Sequence, residues 1–246
     1  FKGVSSRAME EYLPGDDLLA FRDERRAKRN LNRVEPMLPP GGLSILKLFL
    51  RQSPNPDAAL SGLDRFLGET GQPAEELFHP ASMLGAALAI FSQSRYLTEA
   101  LIRHPQLLGW ALDAERLYRV LPRDELRSEL GWLGLSEKSK HAATTLARFK
   151  RMHVLRIALR DLLGIATLAE VTEELSNLAD ALLRGAQEYV QQGLVSRFGR
   201  PLAEADSGPI ECQFVVLALG KLGGRELNYS SDIDLIFLYT GEGQTS

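Results

Sequence analysis

The chain is poor in the features that mark secreted, membrane-bound or nucleic-acid-binding proteins. Cys212 is its only cysteine, so no internal disulfide can form, and a cytoplasmic setting is the expectation. No apolar run approaches the ~20 residues needed to span a bilayer. The first residues do not read as a secretory leader, so no membrane partner is expected. A basic excess is missing too. Lys and Arg number 29 against 32 Asp and Glu, a formal net charge of -3, which argues against nucleic acid as a partner. His79, His104 and His141 lack metal-ligand spacing and read as ordinary surface or core residues. No internal repeat or low-complexity tract appears. A hydrophobic fraction of 44% with 25% charged residues excludes a disordered chain.

Hydrophobic period divides what is there into three regions. Residues 1–40 are charged and irregular, with a charged helix expected over 16–30 and a stop before Pro36 and Pro39-Pro40-Gly41-Gly42. Residues 41–200 read as a succession of helices: 43–51, 57–67, and 80–112 with a break near Pro105. A long helix is expected over 136–163, with Ser136 and Glu137 at its start and Leu146, Phe149, His153, Ile157 and Leu162 on its apolar face. Thr167 with Glu170 three residues on is a capping-box pattern that opens the next helix, which runs through Leu175 and Leu182 towards Val195. A polar linker follows at 203–209, and the period then changes. Residues 211–219 and 232–239 are β-branched and nearly continuous in apolar side chains, as strands buried on both faces are. The fold class expected is α+β: a mainly helical region, then the start of a mixed β-sheet domain over 210–246. Two strands alone are marginal in water, and the chain begins at Phe1 and stops at Ser246, so a fragment of a longer protein is expected.

The chemistry concentrates between the two strands. Asp232 and Asp234 stand one residue apart at the head of the second. Within a strand, alternation would turn both to one face and Ile233, Leu235 and Phe237 to the other. Adjacent same-face acids repel each other. A divalent cation removes that penalty, and Mg²⁺ suits the pair because it is commonly held by one or two carboxylates together with substrate phosphates. Upstream, Gly220, Gly223 and Gly224 permit close backbone approach to a phosphate, and N–H groups in such a turn form an anion-binding nest. Lys221 and Arg225 add charge to that cradle or are surface cations of a glycine-rich turn. Ser231, with Ser230 and Asn228, either orients the carboxylates or belongs to the turn. The spacing alone points to metal-dependent nucleotidyl transfer.

Gly220 followed after twelve residues by Asp232-Ile233-Asp234 resembles the signature of the DNA polymerase β-type nucleotidyltransferase superfamily. That superfamily usually has Gly-Ser or Gly-Gly where this chain has Gly220-Lys221. Residues 220–237 (Gly-Lys-Leu-Gly-Gly-Arg-Glu-Leu-Asn-Tyr-Ser-Ser-Asp-Ile-Asp-Leu-Ile-Phe) narrow the resemblance. They are similar to the bifunctional glutamine synthetase adenylyltransferase/adenylyl-removing enzymes, and to their deadenylylating half in particular. Residues 146–164 and 173–182 resemble helices of the same enzymes, and the likeness runs over about residues 80–240. It implies Asp232 and Asp234 as catalytic and metal-binding residues, with Mg²⁺ or Mn²⁺ bound. Gly220, Lys221, Gly223, Gly224, Arg225 and Ser231 would then lie against the nucleotide. It further implies ATP or ADP and phosphate as substrates or products, glutamine synthetase as the protein substrate, and a PII signal protein as a partner of the longer enzyme.

Competing readings stand beside these. Superfamily members generally take a third carboxylate from a later strand. Glu242, the sole acid after Asp234, sits in a Gly-Glu-Gly turn and suits that role poorly. A related enzyme such as a PII uridylyltransferase shares the Gly and Asp-x-Asp core. A non-catalytic module that binds glutamine synthetase is the other alternative. Arg148, Arg156 and Arg160 form a basic stripe on the long helix, which is read as a solvated face rather than an anion site. Asp161 is available to pair with one of these arginines.

Overall fold

The computed structural model describes residues 21–71, 74–78, 80–132, 141–205 and 207–246. Its helices in chain order are α1 (Glu24–Val34), α2 (Gly42–Gln52), α3 (Pro56–Thr70), α4 (Ala74–Phe78), α5 (Ala81–Gln93), α6 (Arg95–Arg103), α7 (Gln106–Ala111), α8 (Ala114–Leu117), α9 (Arg123–Trp132), α10 (Ala142–Leu162) and α11 (Leu168–Phe198). Five short strands follow, β1 (Pro201–Ala203), β2 (Ile210–Glu211), β3 (Phe214–Ala218), β4 (Leu235–Tyr239) and β5 (Gly243–Thr245), with the one-turn helix α12 (Gly220–Gly223) between β3 and β4. The result is a mainly helical α+β protein. Among the described residues, no helix is long and apolar enough to cross a membrane.

Contacts divide the chain into two units, residues 1–108 and 109–246, a boundary inside the stretch that reads as one helical region. In the first unit, α3 and α5 pack around Leu60, Leu63, Phe66, Leu84 and Ile90, all buried. Ser94 caps α6 by accepting the Leu97 N–H, which breaks the expected 80–112 helix a second time. The expected 16–30 helix starts at Glu24, where Asp23 caps it by accepting the Arg26 N–H, and runs on to Val34; residues 21–23 are not helical, and residues 16–20 lie outside the described residues.

The second unit carries the motif. Its spine is α11, 31 residues long, opened by the capping box the sequence signals: Thr167 accepts from Glu170 N and the Glu170 side chain reaches back to Thr167 N. α11 packs against α9 and α10. Ser136 and Glu137, the expected start of the helix that becomes α10, lie outside the described residues. β3 and β4 pair antiparallel from Phe214↔Tyr239 to Ala218↔Leu235. β2, β1 and β5 form a second antiparallel sheet in that order. Every described pairing is antiparallel, so the parallel partners of a mixed sheet are not among these residues.

The strands depart from expectation in two respects. β3 and β4 are not buried on both faces: Phe214, Val215, Leu217, Ile236, Phe237 and Leu238 are all exposed, because a two-stranded ribbon has no further layer above it. Nor does the second strand begin at Asp232. Its last rung joins Leu235 to Ala218, and beyond that rung the opposite strand has turned away at Gly220. Asp232 and Asp234 therefore stand outside the strand, in the segment that leads into β4.

Candidate active site

The segment 220–229 is docked on the helices by four side chains. Leu222 and Leu227 are buried in the same cluster as Leu175, Leu178, Ile157 and Phe149. Leu227 N donates to Ser176 Oγ of α11 at 3.3 Å. Arg225 Nη2 donates to Asn177 Oδ1 at 2.6 Å and lies 3.7 Å from Glu173 Oε1, while its Nη1 lies 3.8 Å from Asp180 Oδ2. The Tyr229 hydroxyl donates to Asp161 Oδ2 of α10 at 3.2 Å. Asp161 thus serves the motif segment rather than pairing with an arginine. Burial, and then the Asp161 carboxylate, push the Tyr229 phenol well above its ordinary range, so it stays a donor. Desolvation likewise pushes Asp180 up, against the pull of Arg123 and Arg225.

The glycines of the turn divide by role. Gly220 has φ +55°, which favours glycine, and a side chain there would meet Asp234 Oδ2 at 3.6 Å. The Asp234 carboxylate therefore lies over the Gly220 turn. Its backbone is fixed there as well, because Asp234 O accepts the Leu219 N–H at 2.9 Å. A Cβ on Gly223 would come within 2.5 Å of Ala218 O, so only glycine fits. Gly224 has ordinary room. The N–H groups of Gly223, Gly224, Arg225 and Glu226 are bonded to Leu219, Gly220, Leu222 and Lys221 oxygens within the turn. Those of Gly220, Lys221 and Leu222, at the open start of the turn, are not used in this way.

Asp232 and Asp234 are exposed, and neither side chain has a partner among the described residues. The Lys221 side chain is exposed and equally unpaired among those residues. Ser231 is held in the loop: its hydroxyl donates to Asn228 Oδ1 at 2.7 Å and accepts the Asn228 N–H at 3.3 Å. Glu242 accepts from the Tyr239 hydroxyl. Among the described residues no three His, Cys, Asp or Glu side chains form a metal cluster. The two aspartates and their hard oxygens are nonetheless the donor set that Mg²⁺ or Mn²⁺ takes when phosphate oxygens and waters complete its shell. A groove of about 380 Å³ opens nearby among Arg123, Arg127, Arg184, Phe214 and Leu235, and none of the expected site residues lines it.

Beneath this segment is a feature that sequence reasoning read differently. Arg156 and Arg160 are not on a solvated face; they are 0% and 2% exposed, whereas Arg148 is exposed. Their counter-charge is Glu174 of α11, also 0% exposed. Arg156 Nη2 donates to Glu174 Oε1, which also accepts Leu121 N at 3.1 Å. Arg160 Nε lies 2.8 Å from Glu174 Oε2 without the alignment of a hydrogen bond. The surplus positive charge faces carbonyls: Arg156 Nη1 donates to Arg116 O and Arg119 O, and Arg160 Nη1 to Leu117 O at 2.7 Å. Burial draws Arg156 below the ordinary guanidinium value, with Glu174 opposing it. Glu173-Glu174 on the next amphipathic helix was the available signal for this pairing. His153 is also buried, between Phe149 and the edge of Trp110, with Nε2 3.4 Å from Glu129 Oε2 but not aligned to bond it.

Residues 84–246, which include α10, α11, the glycine turn and both aspartates, match the family model described as glutamate-ammonia ligase adenylyltransferase. The bifunctional glutamine synthetase adenylyltransferase/adenylyl-removing enzyme of Pasteurella multocida is 33% identical over 257 residues, covering 98% of this chain and 24% of that protein. The enzyme of the same name from Aromatoleum aromaticum is 40% identical over 154 residues, covering 63% of the chain and 16% of its own length. That of Thioalkalivibrio sulfidiphilus is 32% identical over 165 residues, 65% of the chain and 17% of its own length. The chain thus spans about a quarter or less of the length of these relatives. With the matched region taking in the whole motif and most of the sequence, the chain belongs to the glutamate-ammonia ligase adenylyltransferase family.

Proposed function

We propose that the chain forms part of a metal-dependent nucleotidyltransferase that regulates glutamine synthetase. It belongs to the half that removes AMP from a tyrosine by phosphorolysis, releasing ADP. The observation that carries this reading is the pair of exposed, unpartnered aspartates, one of them fixed over the Gly220 turn. Adenylyltransferase is the activity in the relatives' printed names, which speaks for AMP over the uridylyl group. The same names leave the direction of transfer open, and the resemblance of residues 220–237 to the deadenylylating half favours removal.

Asp232 and Asp234 hold Mg²⁺ or Mn²⁺ in this reading. The bound ion supplies charge neutralisation at phosphorus and activation of the attacking oxygen. Gly220 keeps the turn open beside Asp234, and the N–H groups of Gly220 and Lys221 would be available to a phosphate oxygen. The Lys221 ammonium adds a mobile positive charge there. Gly223 keeps the turn tight, and Asn228 with Ser231 fixes the bend that precedes the aspartates.

The test is phosphate-dependent release of ADP from adenylylated glutamine synthetase with Mg²⁺, comparing the native chain with Asp232→Asn and Asp234→Asn. Release that either substitution abolishes supports the reading. Release that survives both overturns the assignment of the pair. Tight binding of glutamine synthetase with no release at all favours the non-catalytic module.

A further inference from the structure

We infer that Arg225 is a positioning residue: it pins the bend between the glycine turn and the aspartate pair to α11 through Asn177, and it is not a ligand of the nucleotide or phosphate. This inference rests on the reading of Asp232 and Asp234 as the metal-binding pair.

Three observations carry it. Arg225 is the only described residue other than glycine with a left-handed backbone, at φ +59°. Such a conformation is unfavourable for an ordinary residue and persists where its surroundings hold it. The holding groups are on one face of α11, at positions 173, 177 and 180, spaced by four and three residues. Asn177 accepts from the guanidinium at 2.6 Å, while Glu173 and Asp180 add negative charge at 3.7 and 3.8 Å. A phosphate approaching the guanidinium would meet these two carboxylates.

Asn177 is itself held in place. It is 4% exposed, and its Nδ2 donates to Leu121 O at 3.3 Å, which turns its oxygen towards Arg225. Leu121 N in turn donates to Glu174, the acid between Arg156 and Arg160. A continuous path of polar contacts therefore runs from the buried ion cluster to the motif segment. On the far side of Arg225, Leu227 and Tyr229 are anchored at Ser176 and Asp161, and the aspartates follow within five residues. Arg225 is thus the link between two fixed ends, the glycine turn and the Leu227–Tyr229 anchor.

The test uses the 246-residue chain with Arg225→Ala, Arg225→Gly, Asn177→Ala and the Arg225→Ala/Asn177→Ala double variant. Amide hydrogen exchange over residues 220–234 is read without any metal or substrate. Mn²⁺ affinity and the kcat and KM for inorganic phosphate are read separately. Exchange in that segment should quicken about tenfold in Arg225→Ala, the size of effect that losing one charge-assisted hydrogen bond gives. Asn177→Ala should match it, and the double variant should add little. Arg225→Gly should be milder than Arg225→Ala, because glycine accepts the left-handed bend. Mn²⁺ affinity and kcat should fall with KM for phosphate unchanged. A raised KM for phosphate in both Arg225 variants, with exchange unaltered, would overturn the inference. Failure of the underlying site reading looks different: the native chain itself would bind no Mn²⁺, whereas the exchange comparison would be unaffected.

Discussion

Glu174 and the pair Asp232–Asp234 are both carboxylate sites organised by α11, and their surroundings are opposite. Glu174 has no exposure and touches two guanidinium groups and a backbone N–H. Asp232 and Asp234 are exposed and have no side-chain partner among the described residues. A buried acid is tolerated only when paired, so Glu174 is committed to holding helices together. An exposed pair of acids on a fixed backbone has its oxygens free for a ligand. Within one short stretch of sequence, Leu222, Gly223, Arg225, Leu227 and Tyr229 are tied into the fold, and in the proposed reading Gly220, Lys221, Asp232 and Asp234 serve the chemistry.

Breaking the buried side of the comparison should give the largest effect. Glu174→Ala leaves Arg156 buried without the acid that pairs with it and Arg160 with only Glu170 at 3.9 Å, and should cost about 3–5 kcal/mol in urea unfolding. The exposed side should respond in activity instead. Asp232→Asn and Asp234→Asn should each lower turnover about 100-fold or more while leaving unfolding free energy within ~0.5 kcal/mol of native. Inside the turn, Gly223→Ala pushes a methyl against Ala218 O and should destabilise by about 1–3 kcal/mol. Gly224→Ala, with ordinary room, should be near neutral in the same melt.

The smallest effect is in pH dependence. Burial holds His153 below its ordinary value of 6.5, with the Glu129 contact opposing the shift. The folded state therefore binds that proton more weakly than the unfolded chain. Stability from this group is complete above about pH 6.5 and falls as pH drops towards the lowered native value. Unfolding free energy measured from pH 8 to 5 should decline less steeply in His153→Gln than in the native chain.

Much of this was legible in the sequence. The capping box at Thr167 and Glu170 and the helices expected at 43–51 and 57–67 read correctly because each is a local signal, whereas β1 at Pro201–Ala203 precedes the expected change of period and the expected 211–219 strand divides into β2 and β3. Arg156 and Arg160 did not read correctly, because i+4 spacing says they share a face but not which face. Their burial depends on Glu174 on the following helix, a pairing that only the packing of α10 on α11 creates. The Arg225 contact with Asn177 is likewise invisible in the sequence, because it depends on where α11 lies. Strand limits at Asp232 were misplaced by three residues because pairing stops where β3 turns at Gly220, which alternation in one strand cannot show.

One experiment sets the two carboxylate sites side by side. Mn²⁺ affinity and thermal unfolding are measured for the native chain, Asp232→Asn, Asp234→Asn and Glu174→Gln. The aspartate variants should lose Mn²⁺ binding with melting unchanged, and Glu174→Gln should melt well below the native chain. Undiminished Mn²⁺ binding in both aspartate variants, with the native fold intact, would contradict the reading of the pair as the metal-binding site.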